Sequence, residues 1–252
     1  MSRTHVIVTG AGTGIGRAIA QRLAGDGAAV SLLARDEGRL AQTAATIEGP
    51  SFTRACDIRD RKAVDRAFAA AADELGLVTA LVAASGIGGA NADGAGDRFD
   101  DLVATNLNGT YYCCRAALRH LAPGPEARHL VVISSILARI AVPGYTGYSA
   151  SKAGLLGLVR AFAAELAAEN IQVNALCPGW VDTEMAWSGL DGIAEATGTT
   201  REDAYRAAMA DVPLGRMAQP ADIAGTVAWL LSPDARGVTG QAIDQNGGAW
   251  VG

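Results

Sequence analysis

The chain has 252 residues, 50% of them apolar and 19% charged, enough to bury a sizeable core. A formal net charge of −5 excludes the clustered Lys and Arg that phosphate neutralisation on a nucleic acid requires, and points to small-molecule partners. No run reaches about 18 apolar residues without charge, so no membrane helix is expected.

Met1-Ser2-Arg3-Thr4-His5 leads straight into an apolar run without signal-peptide character, which predicts a cytoplasmic location. Cys56, Cys113, Cys114 and Cys177 show no CxxC spacing and are expected as buried, reduced thiols. His5, His120 and His129 are scattered, so no metal site is expected. Pro123-Gly124-Pro125 is too short to separate two cores, which leaves one domain over 1–252.

Short β-branched runs alternate with longer alanine-rich segments of helical spacing, the pattern of an α/β, doubly wound domain with a seven-stranded parallel sheet. Strands are predicted near 5–9, 29–34, 52–56, 79–84, 129–134, 171–177 and 241–244. Helices are predicted over roughly 14–25, 36–47, 60–75, 97–121, 148–169 and 219–231. In such a sheet ligands bind beyond the carboxyl ends of the strands.

The first strand runs into Gly10-Ala11-Gly12-Thr13-Gly14-Ile15-Gly16 as a helix opens at about Gly14. A turn without Cβ atoms lets backbone N–H groups and the positive end of the helix approach a pyrophosphate, which makes Gly10, Thr13, Gly14, Ile15 and Gly16 candidate nucleotide ligands. The spacing is GxxxGxG and no Gly-Lys-Ser/Thr follows, which excludes a P-loop. The second strand ends at Ala34-Arg35: an acid there would bind ribose hydroxyls, whereas an arginine can meet a 2′-phosphate, so NADP(H) is favoured. NAD(H) is the alternative, with Asp36 selecting. Asp57, followed by Ile58, offers an acceptor for an adenine amino group or else caps the helix starting near Asp60.

Tyr148 and Lys152 lie four apart, one turn of a helix, so the ammonium can favour the tyrosinate. Lys62 and Lys152 are the only lysines in an arginine-rich chain, which suggests that a compact ammonium is required at 152. After Pro178-Gly179 about forty residues intervene before Gln219, too long for an ordinary connection. This insertion (about 180–215) reads as a lid over a ligand crevice, or alternatively as a surface flap packed by its own tryptophans. Ile87, Leu137, Val142, Tyr145, Trp180, Met185 and Trp187 suit an apolar or aromatic ketone or alcohol, and Arg139 is expected to be solvated. The helices 97–121 and 148–169 are apolar on more than one face, including Tyr111, Tyr112, Leu155, Leu158 and Phe162, and must be covered.

Taken together, these motifs resemble the classical short-chain dehydrogenase/reductase family over essentially the whole length. The matches are Thr9 through Gly16, Asp57, Asn106 in Thr105-Asn106-Leu107-Asn108-Gly109, Ser135, Tyr148-Ser149-Ala150-Ser151-Lys152, Asn174-Ala175-Leu176-Cys177-Pro178-Gly179 and Thr183. The resemblance implies a single Rossmann-like domain, a homotetramer or dimer joined through those two helices, and carbonyl reduction or alcohol oxidation with NAD(P). It implies that Ser135 binds the substrate oxygen, Tyr148 exchanges its proton, and Lys152 lowers the tyrosine pKa while holding the nicotinamide ribose. Asn106 would bend its helix around a relay water, its alternative being a side chain bonded to its own backbone. Thr183 would contact the nicotinamide carboxamide, or else cap the lid helix; Ala84, Gly86, Pro178, Gly179 and Val181 would line the same site. Where the family commonly carries Asn-Asn-Ala-Gly, this chain has Ala83-Ala84-Ser85-Gly86, losing two bracing amides while keeping the close approach at Gly86. The stretch from Pro178 to Gly215 is similar to polyketide and 3-oxoacyl ketoreductases, which makes a 3-ketoacyl thioester a candidate substrate. A non-catalytic NADP-binding regulator and a lyase or epimerase on the same scaffold are the rival readings.

Overall fold

The computed structural model describes residues 4–92 and 94–252. Seven strands form one parallel sheet: β1 (His5–Thr9), β2 (Ala29–Ala34), β3 (Ser51–Ala55), β4 (Ala80–Ala83), β5 (Arg128–Ile133), β6 (Ile171–Pro178) and β7 (Ala242–Gln245). Their order is β3-β2-β1-β4-β5-β6-β7, so the winding reverses between β1 and β4 and opens a crevice at the carboxyl ends.

The strands are Val, Ile and Leu runs because side chains alternate between two covered faces. On one face Ile7, Leu81, Leu130 and Val132 pack with Phe68 of α3 (Arg61–Leu75), Cys113 of α5 (Thr110–Leu118) and Leu155 of α6 (Thr146–Leu166). On the other, Val6, Val8, Leu32 and Val131 meet Ile19 of α1 (Gly14–Gly25) and Val227 of α9 (Pro220–Leu230). Each leucine fully buried in this way contributes about 1.5–3 kcal/mol. All four cysteines are buried and unpaired. Among the described residues, no helix is long and apolar enough to cross a membrane.

The expected helix over 97–121 is broken. It resolves into a turn at Gly94–Gly96, α4 (Phe99–Val103), a π-helical turn at Ala104–Gly109 and then α5. The widened turn is fixed by tertiary contacts in its middle and at its end: Asn106 is drawn onto Ile87, and Gly109 lies so close to Ile58 that a Cβ would sit 2.7 Å from its side chain. At the other helix, α6 opens at Thr146 and not at 148, which places Tyr148 in its first turn.

Between β6 and α9 the insertion carries α7 (Glu184–Thr197) and α8 (Arg201–Ala210). These bury Leu190, Ala194, Ala204, Met209, Val212 and Met217 as a separate small core, with Trp180 and Trp187 against it. A parallel bridge between Val181 and Ala218 closes its neck.

Candidate active site

At the end of β1 the chain turns back with Gly10 at φ +70. A Cβ on Gly10 would lie 2.8 Å from the Ala84 carbonyl, and one on Gly16 only 2.2 Å from the Gly10 oxygen, so the turn admits no side chain at either position. Thr13 precedes α1 without capping it, which leaves the amides of Gly14, Ile15 and Gly16 unspent by any side chain. Thr183 projects its methyl to within 3.1 Å of the Cβ position of Gly14, so the insertion's first residues overhang the turn. The same threonine caps α7 by accepting from the Ala186 amide at 3.3 Å.

Beyond β2, Arg35 is exposed and without an ion pair among the described residues. Asp36, the alternative selector, caps α2 (Glu37–Ala44) by accepting from the Arg39 amide at 3.0 Å. Asp57 does not cap α3; Asp60 does, accepting from Lys62 and Ala63. The Asp57 carboxylate instead takes the Arg59 guanidinium at 2.7 Å, which holds its pKa below the usual range.

Where the family's asparagine pair is missing, the Ser85 amide bonds Thr9 Oγ1 at 3.2 Å, and a buried side chain supplies the remaining brace. Asn106 accepts from the Ile87 amide at 2.9 Å and donates to the Ile87 carbonyl at 3.0 Å. It therefore clasps a loop outside its own helix, which sets aside the alternative of a side chain bonded to its own backbone. Its amide also donates to Ser151 Oγ at 3.1 Å, and Ser151 donates to the Tyr148 carbonyl at 2.8 Å. A short chain of bonds thus runs from the β4 loop into the turn of α6 that carries Tyr148.

Ser134 donates to the Lys152 carbonyl at 2.9 Å and ties α6 to β5. Next to it, Ser135 is buried and accepts from the Leu137 amide at 3.2 Å, which fixes the direction of its hydroxyl oxygen. Lys152 is 5% exposed and its Nζ donates to the Ile133 carbonyl at 2.9 Å while standing 5.7 Å from the Tyr148 ring centroid. Burial lowers its pKa to about 8. The expected depression of the Tyr148 pKa is reversed: burial raises it, Tyr145 adds to the rise, and a hydrogen bond with Ser135 pulls the other way. Desolvation disfavours phenolate and ammonium alike, and it is the largest cause of both shifts.

The predicted substrate residues divide. Met185 Sδ lies 3.1 Å, and the Tyr148 ring 3.9 Å, from the Cβ position of Gly88, so both border one loop. Leu137, Tyr145, Ile87 and Val142 are half-buried. Trp187, by contrast, stacks on Tyr205 at 5.7 Å and donates to Asp182 at 2.7 Å, and Trp180 lies against Gly189; both tryptophans serve the insertion's own core. Arg139 is not solvated: β7 brings Asp244 to 3.2 Å, and the guanidinium also covers Trp250 at 5.0 Å. Pro178, Gly179 and Val181 sit at the neck, with the Gly179 amide on Gln245.

Sequence reasoning missed Asn91. Its Oδ1 accepts from the Gly147 amide at 3.0 Å and its backbone N–H donates to the Gly144 carbonyl, so a loop after β4 caps α6, which has no side-chain cap of its own. An asparagine in a glycine-rich loop gives no local sign of which distant helix it will cap.

A family model described as enoyl-(acyl carrier protein) reductase matches residues 10–249. The chain is 33% identical over 254 residues to the 3-oxoacyl-[acyl-carrier-protein] reductase MabA of Mycobacterium tuberculosis, covering 98% of this chain and 93% of that protein. It is 36% identical over 250 residues to the short-chain reductase protein NovJ of Streptomyces niveus, with 96% and 92% covered. A crystal structure of an actinorhodin polyketide ketoreductase variant with NADPH superposes with a TM-score of 0.92 at 34% identity, over 98% of this chain and 97% of that one. The glycine turn, the doubly wound sheet and these full-length likenesses make the chain an oxidoreductase, a ketoreductase-like member of the short-chain dehydrogenase/reductase family.

Proposed function

We propose that this enzyme interconverts a ketone and a secondary alcohol with NADP(H), and that 3-ketoacyl thioesters are its substrate class. The observation that carries the reading is the convergence of Ser135, Tyr148 and Lys152 at the carboxyl end of β5, at the same end of the parallel sheet as the glycine turn after β1, with β4 between them. The turn fits a pyrophosphate, because Gly10 and Gly16 are barred from carrying side chains and the amides opening α1 are uncapped. Arg35 with its free guanidinium, and Asp36 spent on a helix cap, favour a phosphorylated ribose; Asp57 and Ile58 would border the adenine. NADP use is also what the NADPH-bound neighbour supports.

When bound, the dinucleotide supplies or accepts the hydride. Ser135 and Tyr148 donate hydrogen bonds to the substrate oxygen, where negative charge grows during reduction, and Tyr148 passes its proton to it. The raised phenol pKa keeps that proton in place at neutral pH. Lys152 bears a positive charge below about pH 8, holds the nicotinamide ribose and favours the proton's departure from Tyr148. Asn106 holds the Ile87 loop against α6. The insertion acts as a lid, with Met185 at its inner edge and Thr183 over the turn. The names of MabA and the actinorhodin enzyme support a thioester of a 3-keto acid.

A homotetramer is the proposed assembly: Tyr111 is exposed on α5 and stacks on Phe162 of α6 at 6.1 Å, an aromatic surface suited to a second copy. Tyr148→Phe tests the mechanism. Turnover of a 3-ketoacyl thioester should fall by roughly 100-fold or more while NADPH titration is unchanged, and near-normal turnover would sink the proton-transfer role.

A further inference from the structure

An ion pair between Arg39 and Glu184 is laid across the nucleotide turn. Arg39 projects from the first turn of α2, and its Cβ is 3.2 Å from the Cβ position of Gly12, so its side chain leaves the helix directly beside the turn. Its guanidinium reaches over to Glu184, the first residue of α7, at 2.9 Å. Glu184 adjoins Thr183, whose methyl overhangs Gly14. The pair therefore joins α2 to the insertion across the residues that would receive a dinucleotide.

Both partners are exposed, at 46% and 74% of their side-chain surface, and Asp36 lies at 3.7 Å as a second carboxylate. Exposed pairs of this kind contribute little and exchange readily. A phosphate dianion offers a guanidinium more charge and a bidentate geometry. The same cation is thus within reach of a carboxylate on the insertion and, from its root beside Gly12 and close in sequence to Arg35, of the ribose end of the nucleotide site.

We propose that Arg39 is a second determinant of 2′-phosphate recognition, held beside the turn by Glu184 of the insertion and taken over by the phosphate when NADP(H) binds. The proposal rests on the reading of the turn as an NADP(H) site. Glu184 then competes with the phosphate, and removing its charge frees the guanidinium. A non-phosphorylated dinucleotide gains nothing from that release, so the competition shows only with NADP(H).

The test is fluorescence titration of the purified enzyme with NADPH and with NADH, for the wild type, Arg39→Ala, Glu184→Gln, the double variant and Arg35→Ala. Arg39→Ala should weaken NADPH on the order of tenfold and leave NADH within about twofold, the weight of one charge-assisted contact. Glu184→Gln should tighten NADPH several-fold with NADH unchanged, and should have no effect in the Arg39→Ala background. Equal shifts for both nucleotides would make the pair a simple tether and overturn the proposal. Loss of preference in Arg35→Ala with full preference in Arg39→Ala would overturn it while leaving the NADP(H) reading intact. A wild type that binds NADH as tightly as NADPH would remove that reading, and the proposal with it.

Discussion

Two regions of the molecule meet at Tyr148 and are built in opposite ways. On the sheet side, α6 is fastened by bonds to backbone, two buried and one partly buried: Ser134 to the Lys152 carbonyl, Lys152 to the Ile133 carbonyl, and Asn91 on the Gly147 amide. On the other side, the insertion packs its own small core around Leu190 and Met209 and joins the body through the Val181–Ala218 bridge and exposed pairs such as Arg39–Glu184. On the proposed function, the first arrangement would fix donors before substrate arrives, and the second would let a surface open as a unit. Preorganisation and access are assigned to different parts of the chain.

The sharpest way to break this contrast is at Gly16, where any Cβ must displace the Gly10 carbonyl. Gly16→Ala should weaken NADPH binding by roughly a hundredfold in a titration, while the far-UV spectrum and the fold persist. Paired core truncations come next. Leu81→Ala should cost about 2–5 kcal/mol of global stability in a denaturant melt, because Leu81 lies in the sheet's main core. Leu190→Ala should leave the main transition nearly unmoved and instead raise proteolysis and hydrogen exchange within 179–218 and the KM for the ketone. An equal global loss from both would show that the two regions unfold together.

Smaller effects follow from the titrating groups. Burial lowers the Lys152 pKa to about 8, so the ammonium is present below that value and lost as pH rises through it. Carbonyl reduction should decline across that window, and Lys152→Met should abolish the limb along with most activity. The stability contribution has the opposite sense: the buried ammonium costs free energy below about pH 8, and the cost fades as pH rises. His129, at the start of β5, is pushed down to about 4 by burial alone. The unfolded chain then binds a proton that the folded one refuses, so stability should fall between pH 6.5 and about 4. His129→Gln should recover up to about 3 kcal/mol of that acid loss.

Legibility tracked how local each signal is. The strands and α1 were readable because β-branched runs and the glycine turn are defined by neighbours in sequence. Seven strands and the bounds of β1, β2 and α1 agree with expectation. The placement of Tyr148 and Lys152 on one face of a helix was legible through spacing, since four residues make one helical turn wherever the helix lies, whereas Ser135, outside that helix, was reached through the family resemblance. The π-turn at Ala104–Gly109 was not, because its cause is the grip of Asn106 on Ile87 nineteen residues away. Trp187 and Arg139 were misplaced for a related reason: aromatic and cationic character says what a side chain can bind, not which partner the fold presents.

The order of residues by itself determined the alternation of strand and helix, the side-chain-free turn after β1, and a tyrosine and lysine on one helical face. It did so because propensity, periodicity and backbone freedom act over a few residues. Tertiary structure alone decided that Tyr148 is held as a phenol with its pKa raised, that Asp36 and Asp60 are spent as caps, and that Arg39 reaches Glu184 over the turn. Burial and partner choice depend on which distant segments the sheet brings together, and no local pattern encodes that distance.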